Sequence, residues 1–272
     1  MRKNLLMTAL ALFSLLFASL AGTGVSQAQD KKTVTLSCLA GATPHAEILE
    51  FITDDLAAAG IALNIRSRQW DATWNEQVET GDVDFHYDAY IPYLDEWNRA
   101  HDGHLIGLGK IHMEPLVMMS DKYKSVDELP QKAQIGIKQD VTNQYRCLKL
   151  LEEAGLIELA DNITLSNADV SYIKKYLKPV EVIAMDADVI LNMRQDLDAY
   201  ITNTNRILEA GLDPHDYLAR ESATNSMFAN VICVHEKNRD NPHILKLVEL
   251  LETEKVREFI NEKYKGAVIP AF

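Results

Sequence analysis

From residue 33 onward, short apolar runs of strand length alternate with longer stretches whose apolar residues recur at helical spacing. Residues 33–39 predict a buried strand, and Gly41-Ala42-Thr43-Pro44 turns into a helix expected over 45–59 and closed by Gly60. A strand over 61–66, a short helix over 74–80, a strand over 83–87 and a helix opening at Pro92 follow. Beyond strands at 105–111 and 115–119, Ser125 and Glu128 have the spacing of a capping box. Residues 133–137 are a further strand, and 142–154 predict a helix stopped by Gly155. Strands over 180–184 and 199–202 alternate with helices over 188–195 and 205–210. A strand over 229–234 and helices over 242–252 and 255–264 close the chain.

This β-α-β rhythm predicts an α/β protein with a mainly parallel sheet covered by helices. About 240 residues past the N-terminal segment are too many for one small core, so two lobes are expected. Crossings near 113–120 and 222–230 would put residues 29–115 and 226–272 in one lobe and 116–225 in the other. Ligands in such sheets sit beyond the carboxyl ends of the strands, here in the cleft between lobes.

The N-terminus changes the setting. Arg2 and Lys3 precede an uncharged run from Leu5 to Ala21, and Ser26 and Ala28 stand at −3 and −1 of a small-residue cleavage site. Residues 1–28 therefore read as a secretory signal peptide, with an uncleaved anchor as the alternative because the apolar run is somewhat long. No cysteine stands where a lipobox needs one, and Cys38 falls inside the first strand, so a soluble periplasmic protein is expected. The chain carries a formal net charge of −13, and its first 28 residues hold two basic and no acidic groups. The remainder is more acidic still, which excludes nucleic acid and anionic membranes as natural partners. Cys38, Cys147 and Cys233 lie far apart among apolar neighbours and read as small buried hydrophobes.

Three segments carry candidate chemistry at the predicted strand ends. Residues 86–97 gather Tyr87, Tyr90, Tyr93, Trp97, Asp88 and two further carboxylates around Pro92. Such a set suits a pocket wall that buries an organic ligand and orients it by hydrogen bonds, although core aromatics on an amphipathic helix would look the same. Arg146 lies one turn into the helix following strand 133–137, where helix N–H groups and a guanidinium suit a carboxylate. Asn203, Asn205 and Asn230 also fall at strand ends, and asparagine can both donate to and accept from an amino-acid zwitterion; singly, each reads equally as a turn or cap. A competing reading is a metal-dependent hydrolase using His101, His104 and His112, on the weak His-x-x-His spacing. No Gly-x-Ser-x-Gly nucleophile motif is present.

Residues 43–50 (TPHAEILE), 92–96 (PYLDE), 208–212 (LEAGL), 229–232 (ANVI) and the ending 262–272 (EKYKGAVIPAF) together resemble the NlpA lipoprotein family. Its best-known members are methionine-binding components of ABC importers. The resemblance implies a two-lobed periplasmic-binding-protein fold of type II-like architecture. It implies no enzyme activity and no cofactor, a small-molecule ligand such as an amino acid, and a monomer that delivers it to an ABC permease and its ATPase. An exported sensor-type binding protein would share the same fold.

The family's carboxylate-binding arginine falls on Arg146, its pocket asparagines on Asn203, Asn205 and Asn230, and the tyrosine of its Pro-Tyr-Leu-Asp motif on Tyr93. Its upstream pocket tyrosine falls at Trp70 or Asp71. Where the family has Phe-Gln-His, this chain has Asp88-Ala89-Tyr90. Recognition of an α-amino-acid backbone is thus implied, with a ligand side chain more polar than that of methionine, because a buried carboxylate needs a donor or cation that a thioether lacks.

Overall fold

The computed structural model describes residues 33–71, 73–222 and 226–272; the expected signal peptide lies outside the described residues. In chain order the elements are β1 (Val34–Ala40), α1 (Glu47–Phe51), α2 (Thr53–Ala58), β2 (Ile61–Ser67), α3 (Thr73–Thr80), β3 (Phe85–Tyr90), α4 (Ile91–His101), β4 (Leu105–Met113), β5 (Leu116–Met119), β6 (Ala133–Lys138) and α5 (Val141–Glu153). There follow β7 (Ile157–Leu159), β8 (Ile173–Tyr176), β9 (Val180–Met185), α6 (Ala187–Asn192), β10 (Ala199–Asn203), α7 (Thr204–Glu209), β11 (Tyr217–Arg220), β12 (Asn230–His235), α8 (Pro242–Leu251), α9 (Glu254–Tyr264) and β13 (Ile269–Pro270).

Two main sheets result, ordered β13-β4-β12-β3-β1-β2 and β11-β5-β10-β6-β9, with a small β7-β8 ladder beside them. The first draws its strands from residues 34–113 and 230–270, the second from 116–220. Both faces of each sheet are covered. In the first, Leu36, Phe85 and Ile232 pack with Ile48, Leu247 and Ile260 of the helices on one side, and Leu39, Val231 and Cys233 pack with Trp74 and Leu94 on the other. In the second, Ile135 and Ile201 meet Leu148 and Leu151 of α5, while Val117 and Tyr200 meet Ile190 and Ile207. Burial on both faces is why these strands read as continuous apolar runs with no alternation. Cys38, Cys147 and Cys233 are free, buried thiols inside these cores.

Several expectations are corrected. The sheets are mixed: β1 runs parallel to β2 and β3, but β12 is antiparallel to β3 and β4. Likewise β6 is parallel to β9 and β10, while β5 is antiparallel to β10 and β11. Parallel neighbours need helical crossovers, whereas β5 follows β4 directly as the chain passes to the other sheet and so enters in the opposite sense. The helix expected over 45–59 breaks at Ile52 (φ −99°, ψ 10°), where the Thr53 hydroxyl donates to the Glu50 carbonyl at 2.8 Å and competes with the helical ladder. The Ser125–Glu128 capping box does not form. Only a single turn, Val126–Glu128, exists, because Pro130 forces Leu129 extended (ψ 133°), and Glu128 accepts from the Lys124 amide at 2.8 Å.

His86, fully buried on β3, meets Asn75 at 2.8 Å. Burial pushes its pKa down to about 3, with the neighbouring His45 adding to the effect. The unfolded chain therefore binds a proton below about pH 6.5 that the folded chain refuses. Stability is intact above that pH and falls as pH drops, by about 2 kcal/mol at pH 5 from this residue. Urea unfolding of His86→Gln between pH 7 and pH 5 is expected to show a pH slope shallower than wild type by that amount, and equal slopes would count against it.

Candidate functional site

The carboxyl ends of β3, β6 and β10 and the β4–β5 crossing converge on one cavity of about 410 Å³. That size is ordinary for a small-molecule site. All nine residues singled out from the sequence line it: Trp70, Asp71, Asp88, Tyr90, Tyr93, Arg146, Asn203, Asn205 and Asn230. The cavity is bounded from both sheets and bridged between them. The Tyr90 hydroxyl is 3.0 Å from that of Thr142 in α5, and Gln69 Nε2 donates to Asp188 Oδ1 at 2.7 Å.

The aromatic wall is set by β3 and α4. Tyr90 ends β3 and precedes α4, whose Pro92 sits in the first turn where a missing N–H costs nothing. Trp70 meets Tyr93 edge-on with centroids 5.9 Å apart, and Tyr93 lies 6.0 Å from Tyr90. Asp71, by contrast, is held by the Thr73 amide at 2.8 Å and by Arg68 at 2.8 Å, so it caps α3 even as it borders the cavity.

Arg146 is 2% exposed and does not wait empty-handed for a guest. Its Nε and Nη2 donate to the Glu221 carboxylate at 2.9 and 2.6 Å, Nη2 also reaches the Glu114 carbonyl at 3.2 Å, and the guanidinium lies against the rings of Tyr90 and Phe228. Burial works against its charge, but the Glu221 ion pair outweighs burial and holds its pKa above the ordinary arginine value. Only Nη1, with a long 3.4 Å contact to Asn143, is left for the cleft. An internal carboxylate thus already satisfies one edge of the fork.

Two residues that the sequence reading passed over complete the site. Lys138, the last residue of β6, is buried, lines the cavity and donates to Asn203 Oδ1; it makes no ion pair with a carboxylate among the described residues, and burial lowers its pKa. Glu114, at the crossing between sheets, is 4% exposed, and its Oε1 lies 3.0 Å from His112 Nε2 and 3.2 Å from His45 Nε2. Both could be noticed as charged residues at the end of a buried apolar run, the position from which open α/β sheets present their ligand groups. Asn203 Nδ2 donates to the Glu114 carbonyl at 3.2 Å, and Asn205 Oδ1 has no partner among the described residues.

Asp88 faces the cavity half-buried and does not cap α4, whose N-terminus has no side-chain cap. Its Oδ1 is 3.5 Å from His45 Nε2, and Asn230 Oδ1 is 3.4 Å from the same nitrogen. Burial, reinforced by Glu114, raises the Asp88 pKa well above the carboxylate range, and burial also raises that of Glu114. His45 and His112 are pushed by burial down to about 4 and about 3, so both imidazoles are neutral at physiological pH.

The histidines of the hydrolase reading are not brought together. His101 stacks on Trp97, and His104 pairs with Glu79 at 2.8 Å beside His235. His112 lies at the far end of β4 from His104, about 25 Å along an extended strand.

Fold and site together define a two-lobed α/β binding protein with its ligand cavity between the lobes. The chain belongs to the NlpA lipoprotein family, whose model matches residues 39–272. Methionine-binding lipoprotein MetQ of Bacillus subtilis (strain 168) is 32% identical over 274 residues, covering 99% of each chain. Among solved structures, a nutrient binding protein from Burkholderia cenocepacia bound to methionine superposes with a TM-score of 0.83 at 29% identity, covering 87% of this chain and 100% of that one. Lipoprotein Tp32 from Treponema pallidum superposes with a TM-score of 0.82 at 29% identity, covering 87% and 98%. No helix among the described residues is long and apolar enough to cross a membrane.

Proposed function

We propose that this chain is an extracytoplasmic substrate-binding protein that captures an amino acid between its lobes and hands it to an ABC permease and its ATPase as a monomer, without chemical turnover. The carrying observation is the interlobe cavity with opposite chemistries on its walls: Lys138 and Arg146 Nη1 on the side of the second sheet, Asp88 and Glu114 on the other. A zwitterion fits that polarity. In this reading Lys138 and Arg146 receive the ligand carboxylate, Asn203, Asn205 and Asn230 orient its backbone, and Trp70, Tyr90 and Tyr93 enclose its side chain. Asp71 serves α3 more than the ligand. The lobes divide at residues 115/116 and 225/226, and closure about those crossings is the binding step. Cys38, fully buried in β1, is not a lipid attachment point in this reading.

Ligand at about a hundred times its Kd adds about 2.7 kcal/mol to folded-state stability. A thermal-shift screen of the proteinogenic amino acids should therefore give a hit with a clear rise in Tm, recovered unchanged after prolonged incubation. No hit across the panel, or conversion of the hit, would overturn the reading.

A further inference from the structure

The acceptor wall of the cavity holds more acceptors than the described residues satisfy. Three side-chain oxygens converge on the single hydrogen that His45 Nε2 can donate: Glu114 Oε1 at 3.2 Å, Asn230 Oδ1 at 3.4 Å and Asp88 Oδ1 at 3.5 Å. Glu114 Oε1 receives a second donor from His112, but Glu114 Oε2 and Asp88 Oδ2 have no hydrogen-bond partner among the described residues. Asn205, 5% exposed and bordering the same cavity, leaves its Oδ1 without a donor among the described residues. Among those residues Asn205 Oδ1 is buried and unmatched, at a cost in folding free energy, and the two carboxyl oxygens border the cavity without a protein donor, so the set suits a guest that brings the missing donors.

Charge bookkeeping points the same way. Of the cationic side chains at the cavity, Arg146 is committed to Glu221 and Arg206 to Asp188 at 3.2 Å. Asp140 and Asp186 accept from the first-turn amides of α5 and α6. What remains without an opposite full charge among the described residues is one cation, Lys138, against two carboxyl groups, Asp88 and Glu114, which a cationic guest would hold in their ionised form. The matching guest carries one anionic and two cationic groups. An amino acid with an apolar side chain supplies only one of the two.

We propose that the ligand is a basic amino acid of the lysine, ornithine or arginine class, its carboxylate at Lys138 and its two cationic nitrogens at Asp88 and Glu114. The inference rests on the amino-acid-binding reading above and narrows it. The aromatic wall of Tyr90, Tyr93 and Trp70 can pack the aliphatic stem and take up cation–π contact with the distal charge.

Calorimetric titration of the whole protein with L-lysine, L-ornithine, L-arginine, L-methionine and L-norleucine tests it, since norleucine keeps the lysine stem without its charge. At least one basic amino acid should bind about 10²–10⁴-fold more tightly than norleucine, the penalty a site built for a polar group exacts from an analogue lacking it. One of Asp88→Asn and Glu114→Gln, the one that removes the partner of the side-chain cation, should shrink that ratio at least tenfold, while the other, which removes the partner of the α-ammonium that norleucine shares, should weaken both ligands alike. A ratio unchanged in both variants would overturn the inference, and if one fails to fold the wild-type preference over norleucine carries the test. Methionine or norleucine binding as tightly as all three basic amino acids would overturn the inference while leaving the binding-protein reading intact. No binding by any amino acid would overturn both. Stoichiometric Zn²⁺ uptake lost in Glu114→Gln, with no preference for basic ligands, would overturn it by assigning His45, His112 and Glu114 to a metal.

Discussion

Replacing Arg146 with alanine should lower the unfolding free energy by about 3–5 kcal/mol, the cost of stranding one member of a buried ion pair. Glu221 would lose two charge-assisted bonds from a guanidinium that is 2% exposed. The rings of Tyr90 and Phe228, now 5.3 and 4.5 Å from that guanidinium carbon, would border a void. Urea denaturation reads this as a lower midpoint. The pair Arg146→Met with Glu221→Met should recover most of the loss, because a buried ion pair replaced as a unit by apolar groups is commonly neutral. Ligand affinity should stay impaired in the double variant, since Nη1 would still be missing from the cleft. A single variant within 1 kcal/mol of wild type would show that the pair contributes little, contrary to its geometry.

Lys138→Met should behave in the opposite way, keeping or raising stability while weakening binding. The lysine is buried with no carboxylate partner among the described residues, so the fold gains little from its charge. A ligand carboxylate placed against it would lose about 2–5 kcal/mol on its removal, roughly thirtyfold to several thousandfold in Kd. Calorimetry with the best amino acid from the panel and with its carboxamide completes a double-mutant cycle. Wild type should discriminate strongly between acid and amide, and Lys138→Met should not. Undiminished discrimination would move the carboxylate to Arg146 alone.

Stability against pH then reflects opposed groups around the cavity. His45 and His112, pushed to about 4 and about 3, cost the fold nothing above about pH 6.5 and destabilise it as pH falls below that. Asp88 and Glu114, raised by burial, do the reverse: their cost is present at neutral pH and relieved on protonation. A cationic guest would offset the same cost without a proton.

The sequence by itself determined the order of the main strands and helices, though not the short strands β7, β8, β11 and β13, because strands buried on both faces must be largely apolar and helices must be punctuated by Gly60, Gly155 and Pro92. It also singled out Trp70, Asp71, Asp88, Tyr90, Tyr93, Arg146, Asn203, Asn205 and Asn230, which all border one cavity. Partnerships were another matter. Arg146 and Glu221 are 75 residues apart, His45 and Asn230 are 185 apart, and His45 and Glu114 lie in different elements well separated along the chain. No local spacing encodes those contacts; they arise only when two sheets close over the β4–β5 crossing. Strand direction followed the same rule, since β5 and β12 are antiparallel to their neighbours because the chain changes sheets there. Tertiary structure alone decided that Arg146 comes to the cleft already in an ion pair, while among the described residues Lys138 meets no carboxylate and Asp88 and Glu114 meet only histidines. A charge's availability depends on what folding brings within about 4 Å of it, and sequence order leaves that distance open.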